Sequence, residues 1–468
     1  MKRIWLLFLV GVVSVGLAVP AFAEHEVGGF YRAKGWVSNY QTFGAGNPSG
    51  QTSNDPDTSS YVEQRARFKF TFSNNEYAKA ILYIESDLVW GDDRFRTGRN
   101  GGGALGGDSV NIEVKDLYTW FKIPDTDYEF QVGLQNFNDA YYGNFVGVND
   151  MGGVLGKAKF ENVSLRYGWF KWLEAETLGN AGGNTFNADD LDFYLVEAKF
   201  KPSDNSNLGV NVYYMNDDRN RAGNADNTGP SLIGGTPFIP GGSTTDLYII
   251  GANGVLKLDA VTLSGFAAYQ TGEVSSNVAT LSDRDISAFG VNLRADMKLG
   301  DGDFFVEGIY LSGDDDSNDN DIEGWQVAPD LNAPFYYRSD MQILFYNGDD
   351  ETTATAFFAD GNTRGNPDGA GAIAIMAGYK FKPAEKWQLK IGAGWAQDAE
   401  GNNNGAGLFS DEKSIIEVNG TLRYAITKGL TAGVEGAWGF VSDLPSVEDN
   451  TVEADDLYMA YWRVNYSF

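Results

Sequence analysis

The sequence predicts an all-β fold, a single antiparallel β-barrel of about eighteen strands that crosses a membrane. Apolar and polar residues alternate in segments of roughly ten residues, the length of a tilted membrane-spanning strand. These segments are joined alternately by short turns and by long connections. Beyond residue 23 no stretch approaches about 18 consecutive apolar residues, which argues against a spanning helix. Because lipid offers no partner to an open sheet edge, the strands are expected to close into a barrel.

The first 23 residues have the pattern of a secretory signal peptide. Lys2 and Arg3 precede an apolar run over residues 4–19, and Ala21-Phe22-Ala23 supplies the small residues of a cleavage site. The run is short for a membrane helix, which needs about 20 residues. We therefore expect cleavage before Glu24, with residues 1–23 removed and residues 24–468 forming the barrel.

The clearest predicted strand covers residues 61–72. One set of alternate side chains is apolar and suits lipid, whereas the other is charged and suits water. The apolar set is Val62, Ala66, Phe68, Phe70 and Phe72, and the charged set is Glu63, Arg65, Arg67 and Lys69. This segment defines the pattern by which the other strands are recognised.

Eight short turns divide the chain into hairpins. Their residue types tolerate positive φ, fix φ or cap the turn with a side chain. In order they lie at residues 73–76, 124–127, 161–162, 202–206, 259–260, 300–303, 382–386 and 427–429. With a first strand near residues 27–40 and a last near residues 456–468, the total is about eighteen, an even number as in single-chain bacterial barrels. Sixteen strands also fit, because the alternation is weak over residues 152–161.

Composition limits the function. The formal net charge of −29 at pH 7 argues against nucleic-acid binding, which depends on basic side chains. His25 is the only histidine and the chain has no cysteine. A Ser-His hydrolase, a thiol nucleophile and a metal centre with His or Cys ligands therefore lack their residues. We expect neither an enzyme nor a bound organic cofactor.

The end of the chain resembles the C-terminal strand of bacterial outer-membrane proteins. Residues 457–468 alternate large apolar with polar groups, and Trp462, Val464, Tyr466 and Phe468 share one face. Residues 114–121 together with residues 130–135 are similar to a strand pair of the general porins. The resemblance implies that the barrel-assembly machinery recognises the strand that ends in Phe468.

As a porin-like protein, the chain is expected to form a passive, water-filled channel for small hydrophilic solutes and ions in the outer membrane of a Gram-negative-type bacterium. The resemblance also implies a homotrimer in contact with outer-membrane lipid and lipopolysaccharide. Three alternatives stay open at this point. They are a substrate-specific channel for a sugar, an amino acid or an anionic polysaccharide, a barrel scaffold for a partner protein, and a soluble exported carbohydrate-binding protein.

Charged residues on the predicted inward faces are the candidates for the pore lining. They are Arg32, Lys34, Glu63, Arg65, Arg67, Lys69, Arg294, Arg423 and Arg463. Closure places the last strand beside the first, so the basic residues of neighbouring strands are expected to form one wall. An acidic loop folded into the lumen opposite this wall would create a transverse field that sorts ions. The alternative is local ion pairing within the wall.

The longest connection, residues 314–368, is the candidate constriction or subunit contact. Phe335, Tyr336, Tyr337 and Arg338 lie in it, and a purely exposed loop has little need of such aromatic residues; a packed external cap is the alternative. In the same loop Asp319, Asp321, Glu323 and Asp330 partly match a calcium loop, although Glu323 and Asp330 depart from the pattern. A calcium site is one interpretation. Loose association with divalent ions that bridge lipopolysaccharide is the other.

Overall fold

The computed structural model describes thirteen separate parts of the chain. They are residues 24–39, 58–92, 103–106, 110–173, 190–218, 243–276, 282–315, 319–327, 338, 340–345, 371–400, 414–442 and 456–468. The predicted signal peptide, Phe335, Tyr336, Tyr337 and Asp330 lie outside them. Within these parts, every regular element is a β-strand, and no helix is long and apolar enough to span a membrane.

The described parts contain nineteen strands, in this order along the chain. They are β1 (Glu24–Ser38), β2 (Ser59–Asn75), β3 (Ala78–Val89), β4 (Glu113–Lys122), β5 (Tyr128–Asn138), β6 (Val148–Phe160), β7 (Val163–Leu173), β8 (Leu191–Ser203), β9 (Ser206–Asp217), β10 (Ser243–Lys257), β11 (Val261–Ser276), β12 (Arg284–Leu299), β13 (Gly302–Leu311), β14 (Asp321–Ile322), β15 (Ala372–Ala384), β16 (Trp387–Gln397), β17 (Ser414–Thr427), β18 (Leu430–Ser442) and β19 (Leu457–Ser467).

Eighteen of these strands form a closed antiparallel ring, and the two-residue strand β14 is not a member of the ring. Strand β1 pairs on one side with β2 and on the other with β19, which closes the sheet. Strand β14 pairs in parallel with β12 through Asp321–Asp285 and Ile322–Ile286. The predicted eighteen-stranded barrel is therefore confirmed. The sixteen-stranded alternative is wrong, because the weak segment belongs to the complete strand β6, which pairs with β5 and β7.

All eight predicted short turns join neighbouring strands at the same end of the barrel, here called the turn end. Four of them contain backbone with positive φ, at Asp125 (58°), Glu161 (23°), Gly300 (58°) and Gly429 (77°). Asn75 caps another turn, where its side-chain oxygen accepts hydrogen bonds from the backbone of Tyr77 at 2.8 Å and of Ala78 at 3.0 Å. The other strand ends lie at the opposite end of the barrel, here called the loop end.

The two faces of β2 differ as the sequence predicts. Phe68 and Phe72 are 38% and 40% exposed on the outside, whereas Glu63 and Arg65 are buried on the inside. The same division runs around the ring, where exposed apolar side chains on the outer faces include Val132, Val196, Val210, Ile250, Val291, Ile375, Ile391, Val418 and Val434. A closed ring with an apolar exterior meets the requirement for a β-sheet that spans a lipid bilayer, since no strand edge is left unpaired.

Candidate solute channel

Residues 139–147, the connection between β5 and β6, fold around the carboxylate of Asp139 and form the inner loop. One carboxylate oxygen accepts hydrogen bonds from the backbone of Tyr141 at 2.8 Å and Gly143 at 2.9 Å. The other accepts from the backbone of residues 145, 146 and 147 at 3.1, 2.7 and 3.2 Å. Burial raises the pKa of the Asp139 carboxyl, and these backbone donors offset part of the rise. One side chain thus fixes the course of the whole loop.

The inner loop lies inside the barrel against the inward faces of β7 to β11. The backbone N–H of Ala140 donates to the hydroxyl of Tyr213 at 2.8 Å, and Asn253 donates to the carbonyl of Ala140 at 3.1 Å. The rings of Tyr141 and Tyr213 are 5.3 Å apart in an edge-to-face contact. Gly251 leaves the space for Tyr141, because a Cβ there would lie 2.7 Å from the Tyr141 ring. This packing fills one side of the lumen with side chains.

Residues 321–327, which include β14, form a second segment that contacts the inner loop, here called the latch segment. The indole N–H of Trp325 donates to the carbonyl of Asn144 at 2.8 Å, and Trp325 is buried. Gln270 on β11 holds the next residue of the segment twice, since its amide donates to the Gln326 carbonyl at 2.8 Å and accepts from the Gln326 backbone at 2.7 Å. The two connections therefore support each other inside the barrel.

Residues 340–345 form a third inward part, the docked segment, which packs against β16 to β18. Buried Glu417 accepts hydrogen bonds from three successive backbone N–H groups of this segment, those of residues 342, 343 and 344, at 2.7 to 2.9 Å. Gly394 leaves space for Met341, because a Cβ there would lie 2.8 Å from the methionine sulfur. Asp340 also forms an ion pair with Lys390. The described parts of the predicted long loop thus line the lumen.

Charged side chains cluster on the inward faces of β1–β3 and on the turn-end halves of β17–β19. These faces carry the residues here called the charged wall, namely Arg32, Lys34, Glu63, Arg65, Arg67, Glu85, Asp87, Arg423, Glu435 and Arg463. The strand register places Arg32 opposite Arg65, and Lys34 opposite both Glu63 and Arg463. The basic residues predicted for the first, second and last strands are therefore neighbours in the structure.

Carboxylates divide the charged wall. Arg65 binds Asp87 through two hydrogen bonds of 2.7 and 2.6 Å, a bidentate pairing that favours a fixed geometry. Arg67 pairs with Glu85. On the other side of β1, Glu435 accepts from Arg423 at 2.8 Å and lies 3.1 Å from Arg463. In the wall Arg65, Arg67, Arg423 and Arg463 are thus each paired with a carboxylate, whereas the sequence suggested a basic surface.

Burial separates the wall into two groups. Lys34 is fully buried between the rings of Trp36 and Tyr461, at 5.1 and 5.0 Å from their centres. By contrast, the side chains of Arg67 and Arg423 retain 24% and 33% of their exposure. Among the predicted lining residues, Arg67 and Arg423 are therefore open to the lumen. Lys34, by contrast, packs within the charged wall between two aromatic rings.

Arg294 lies outside this wall, on β12, four strands away from β17 in the ring. It pairs with Glu307 at 3.1 Å and stacks over the ring of Phe305 at 3.9 Å. Its guanidinium also donates to the carbonyl of Arg338 at 3.2 Å, and Arg338 in turn stacks over the ring of Tyr142 in the inner loop at 4.3 Å. Arg338 therefore joins the long connection to the inner loop, and on this side too the guanidinium groups are paired with carboxylates, those of Asp296 and Glu307.

The described residues of the candidate calcium site lie in and beside the latch segment, with Asp321 in β14. The Asp319 carboxylate accepts a hydrogen bond from the backbone of Asp321 at 2.8 Å. Partial burial and the neighbouring carboxylates of Asp315, Asp314 and Asp319 raise the pKa of Glu323. In the described part of the chain, no three acidic or histidine side chains are grouped as a metal site requires. Because Asp330 lies outside that part, calcium binding stays a prediction.

Sequence reasoning missed the residues that shape the lumen, above all Asp139, Trp325 and Glu417. The sequence does carry one indication of these contacts, at the inward positions of neighbouring strands. Small residues recur there, and a Cβ at several of them would collide with a side chain of an inner connection; these include Gly251, Gly290 and Gly394. A run of small residues on an inward face indicates that another part of the chain packs closely against it.

Comparison of the sequence with known protein families and with curated proteins finds no match. Solved structures do match the fold. The outer membrane protein OpdK of Pseudomonas aeruginosa aligns with a TM-score of 0.53 at 10% identity, covering 95% of this chain and 98% of that chain. OccAB4 of Acinetobacter baumannii gives 0.53 at 11%, covering 95% and 98%, and OpdL of Pseudomonas aeruginosa gives 0.52 at 13%, covering 95% and 99%. The chain therefore shares the overall barrel fold of these bacterial proteins.

Proposed function

We propose that this protein is an outer-membrane porin, a passive, water-filled channel for small hydrophilic solutes and ions. The turn end faces the periplasm and the loop end faces the outside, as the short-turn and long-loop ends of bacterial barrels do. An amino-terminal signal peptide, residues 1–23, directs export and is cleaved before Glu24. The similarity of the fold to an outer membrane protein of Pseudomonas aeruginosa supports this location.

One observation carries the proposal. The inner loop, the latch segment and the docked segment pack against other parts of the inward surface, whereas the charged wall presents polar and charged side chains. Arg67 and Arg423 in the charged wall keep part of their surface open to water. A protein with a lipid-covered exterior has little use for charged inward side chains unless water and solutes pass beside them.

Conductance of the purified protein in planar lipid bilayers tests the proposal. We expect discrete, long-lived open steps in KCl, and swelling of protein-containing liposomes in small sugars. The same preparation unfolded by boiling in detergent is the control and should give neither signal. Folded protein that inserts without conductance would refute the channel and favour the scaffold for a partner protein.

A substrate-specific channel is the second candidate, and the architecture of the charged wall favours it. The carboxylate of Glu435, shared by Arg423 and Arg463, holds the partly exposed guanidinium of Arg423 in a fixed position. Fixed donors recognise a particular solute better than mobile ones. Uptake rates for a panel of sugars, amino acids and anionic oligosaccharides of equal size decide between the two, since a general porin passes them at similar rates.

Assembly and surroundings follow from the same proposal. The protein assembles as a homotrimer and contacts outer-membrane lipid and lipopolysaccharide, with divalent cations such as Ca²⁺ associated with its acidic external connections. The barrel-assembly machinery recognises the last strand and Phe468. What supports this last point is that the backbone of Phe468 exchanges two hydrogen bonds of 3.1 Å with Gly29 at the seam between the last and first strands. Cross-linking and size measurements in mild detergent test the trimer.

A further inference from the structure

A separate cavity lies at the turn end of the barrel, on the wall formed by β6 to β10. Its volume is about 540 Å³. Four lysines line it, Lys159, Lys199, Lys201 and Lys257, and together they define the lysine pocket. These lysines are on strands different from those of the charged wall, so the pocket is a second charged region.

The strand register places three of the lysines on the inward side. Lys199 follows the inward residue Glu197 by two positions on β8, and side chains two apart on a strand share a face. Lys159 and Lys199 pair with the same residue, Ser164 on β7, from its two sides. Lys257 continues the inward row of Ile249 on β10. All three therefore point toward the lumen rather than toward lipid.

The pocket has an excess of positive charge. Lys201 forms an ion pair of 2.8 Å with Asp204, whereas Lys159, Lys199 and Lys257 have no carboxylate within ion-pair distance among the described residues. This contrasts with Lys298 at the same end of the barrel, which pairs with Asp303 at 2.5 Å. The lining also contains Glu161, so four basic side chains stand against two acidic ones, in a chain whose 64 acidic side chains outnumber its 35 basic ones. Such a local excess of positive charge in an acidic protein favours binding of an anion.

We propose that the lysine pocket binds oligovalent phosphate anions that reach the lumen from the periplasm. Lysine is a mobile point charge that binds phosphate without a fixed geometry, and the hydroxyl of Ser164 is placed to add a hydrogen bond. The pocket lies inside the mouth of the barrel, so a bound polyanion narrows the path and changes its charge. The orientation rests on the proposed function, whereas the binding itself does not.

The test uses the full-length folded protein, sodium tripolyphosphate as the probe, and bilayers of zwitterionic lipid. We expect the probe to reduce the current when it is added on the periplasmic side and to have a much weaker effect from the other side. In the K159Q/K199Q/K257Q variant the concentration for half-block should rise about tenfold, because three ionic contacts are lost. K298Q is the matched control, since it removes a paired lysine from the same end, and it should behave as wild type. Equal block of wild type and triple variant would overturn the proposal.

A binding measurement separates this proposal from the channel function. Calorimetry in detergent micelles should show tripolyphosphate binding to wild type and about tenfold weaker binding to the triple variant, even if the protein conducts no current. Native mass spectrometry with phosphatidylglycerol tests the other source of phosphate, a lipid headgroup. Lipid retention that depends on the three lysines, without binding of tripolyphosphate, would assign the site to the membrane and overturn the proposal of a soluble ligand.

Discussion

Replacing Asp139 with Asn removes the group around which the inner loop is folded. An amide has one acceptor oxygen, so it can serve either the donors of residues 141 and 143 or those of residues 145 to 147, but not both sets. At least two buried N–H groups then lose their acceptor. Each such loss costs about 1–3 kcal/mol, so the loop is destabilised by about 2–6 kcal/mol.

Hydrogen exchange measures this loss directly. Since about 1.4 kcal/mol corresponds to a factor of ten, the backbone amides of residues 141–147 should exchange at least about 30-fold faster in D139N than in wild type. The amides of the barrel strands should keep their protection, because Asp139 takes no part in the strand pairing. The assay is mass spectrometry of the peptides that cover the loop, on protein in detergent micelles.

D150N is the matched control for this experiment. Asp150 is a neighbouring carboxylate on β6 that pairs with Lys115 at 2.5 Å and takes no part in the inner loop. D150N should leave the exchange of residues 141–147 unchanged. If D139N also leaves it unchanged, the carboxylate does not organise the loop, and our account of how the lumen is narrowed is incorrect.

Three further changes test other parts of the site. G251V inserts side-chain atoms where Tyr141 packs, which typically costs about 1–3 kcal/mol, and the displaced inner loop should increase single-channel conductance and its noise. R67Q should shift the reversal potential in a KCl gradient toward cation selectivity, because Arg67 is exposed to the lumen. R65Q should instead lower the thermal stability, since breaking a buried ion pair costs about 3–5 kcal/mol. E417A should loosen the docked segment by about 3 kcal/mol or more and raise conductance, because three N–H groups lose their acceptor.

Controls for these variants come from the same barrel. G308A on β13 is the control for G251V, since a Cβ at Gly308 would have only the Ala374 carbonyl nearby, at 3.8 Å. Unchanged conductance in both G251V and E417A would show that neither connection limits the pore. A reversal potential that moves in R65Q but not in R67Q would contradict the assignment of Arg67 as the residue in contact with water.

The barrel could be predicted because its signals are local. Alternation with a period of two reports which face of a strand meets lipid, and the turn residues report where a hairpin reverses. The weak alternation of β6 has a structural cause. A Cβ at Gly153 would lie 2.6 Å from the Phe170 ring, and one at Gly156 would lie 2.5 Å from the Tyr167 ring. Large aromatic residues on β7 thus require glycines on β6. Because glycine has no side chain, the alternation of apolar and polar residues is weak in this strand.

The site could be predicted only in part, because its remaining features depend on contacts between distant residues. Arg65 and Arg67 could be placed inward from their own strand, but their partners Asp87 and Glu85 follow from the register with β3. The role of Glu417 is harder to predict, since it accepts hydrogen bonds from a segment more than seventy positions earlier in the chain. Sequence reasoning therefore found the basic residues of the wall and missed the carboxylates that pair with them.

Single-cysteine accessibility along β2 tests most directly whether one face of the barrel wall meets water and the other meets lipid. The chain contains no cysteine, so each introduced thiol is the only one present. With a membrane-impermeant, water-soluble thiol reagent on protein in lipid vesicles, we expect reaction at R67C, K69C and T71C and protection at A66C, F68C and F70C. Equal reactivity at all six positions, or the reverse pattern, would contradict a barrel with an apolar exterior and an aqueous lumen.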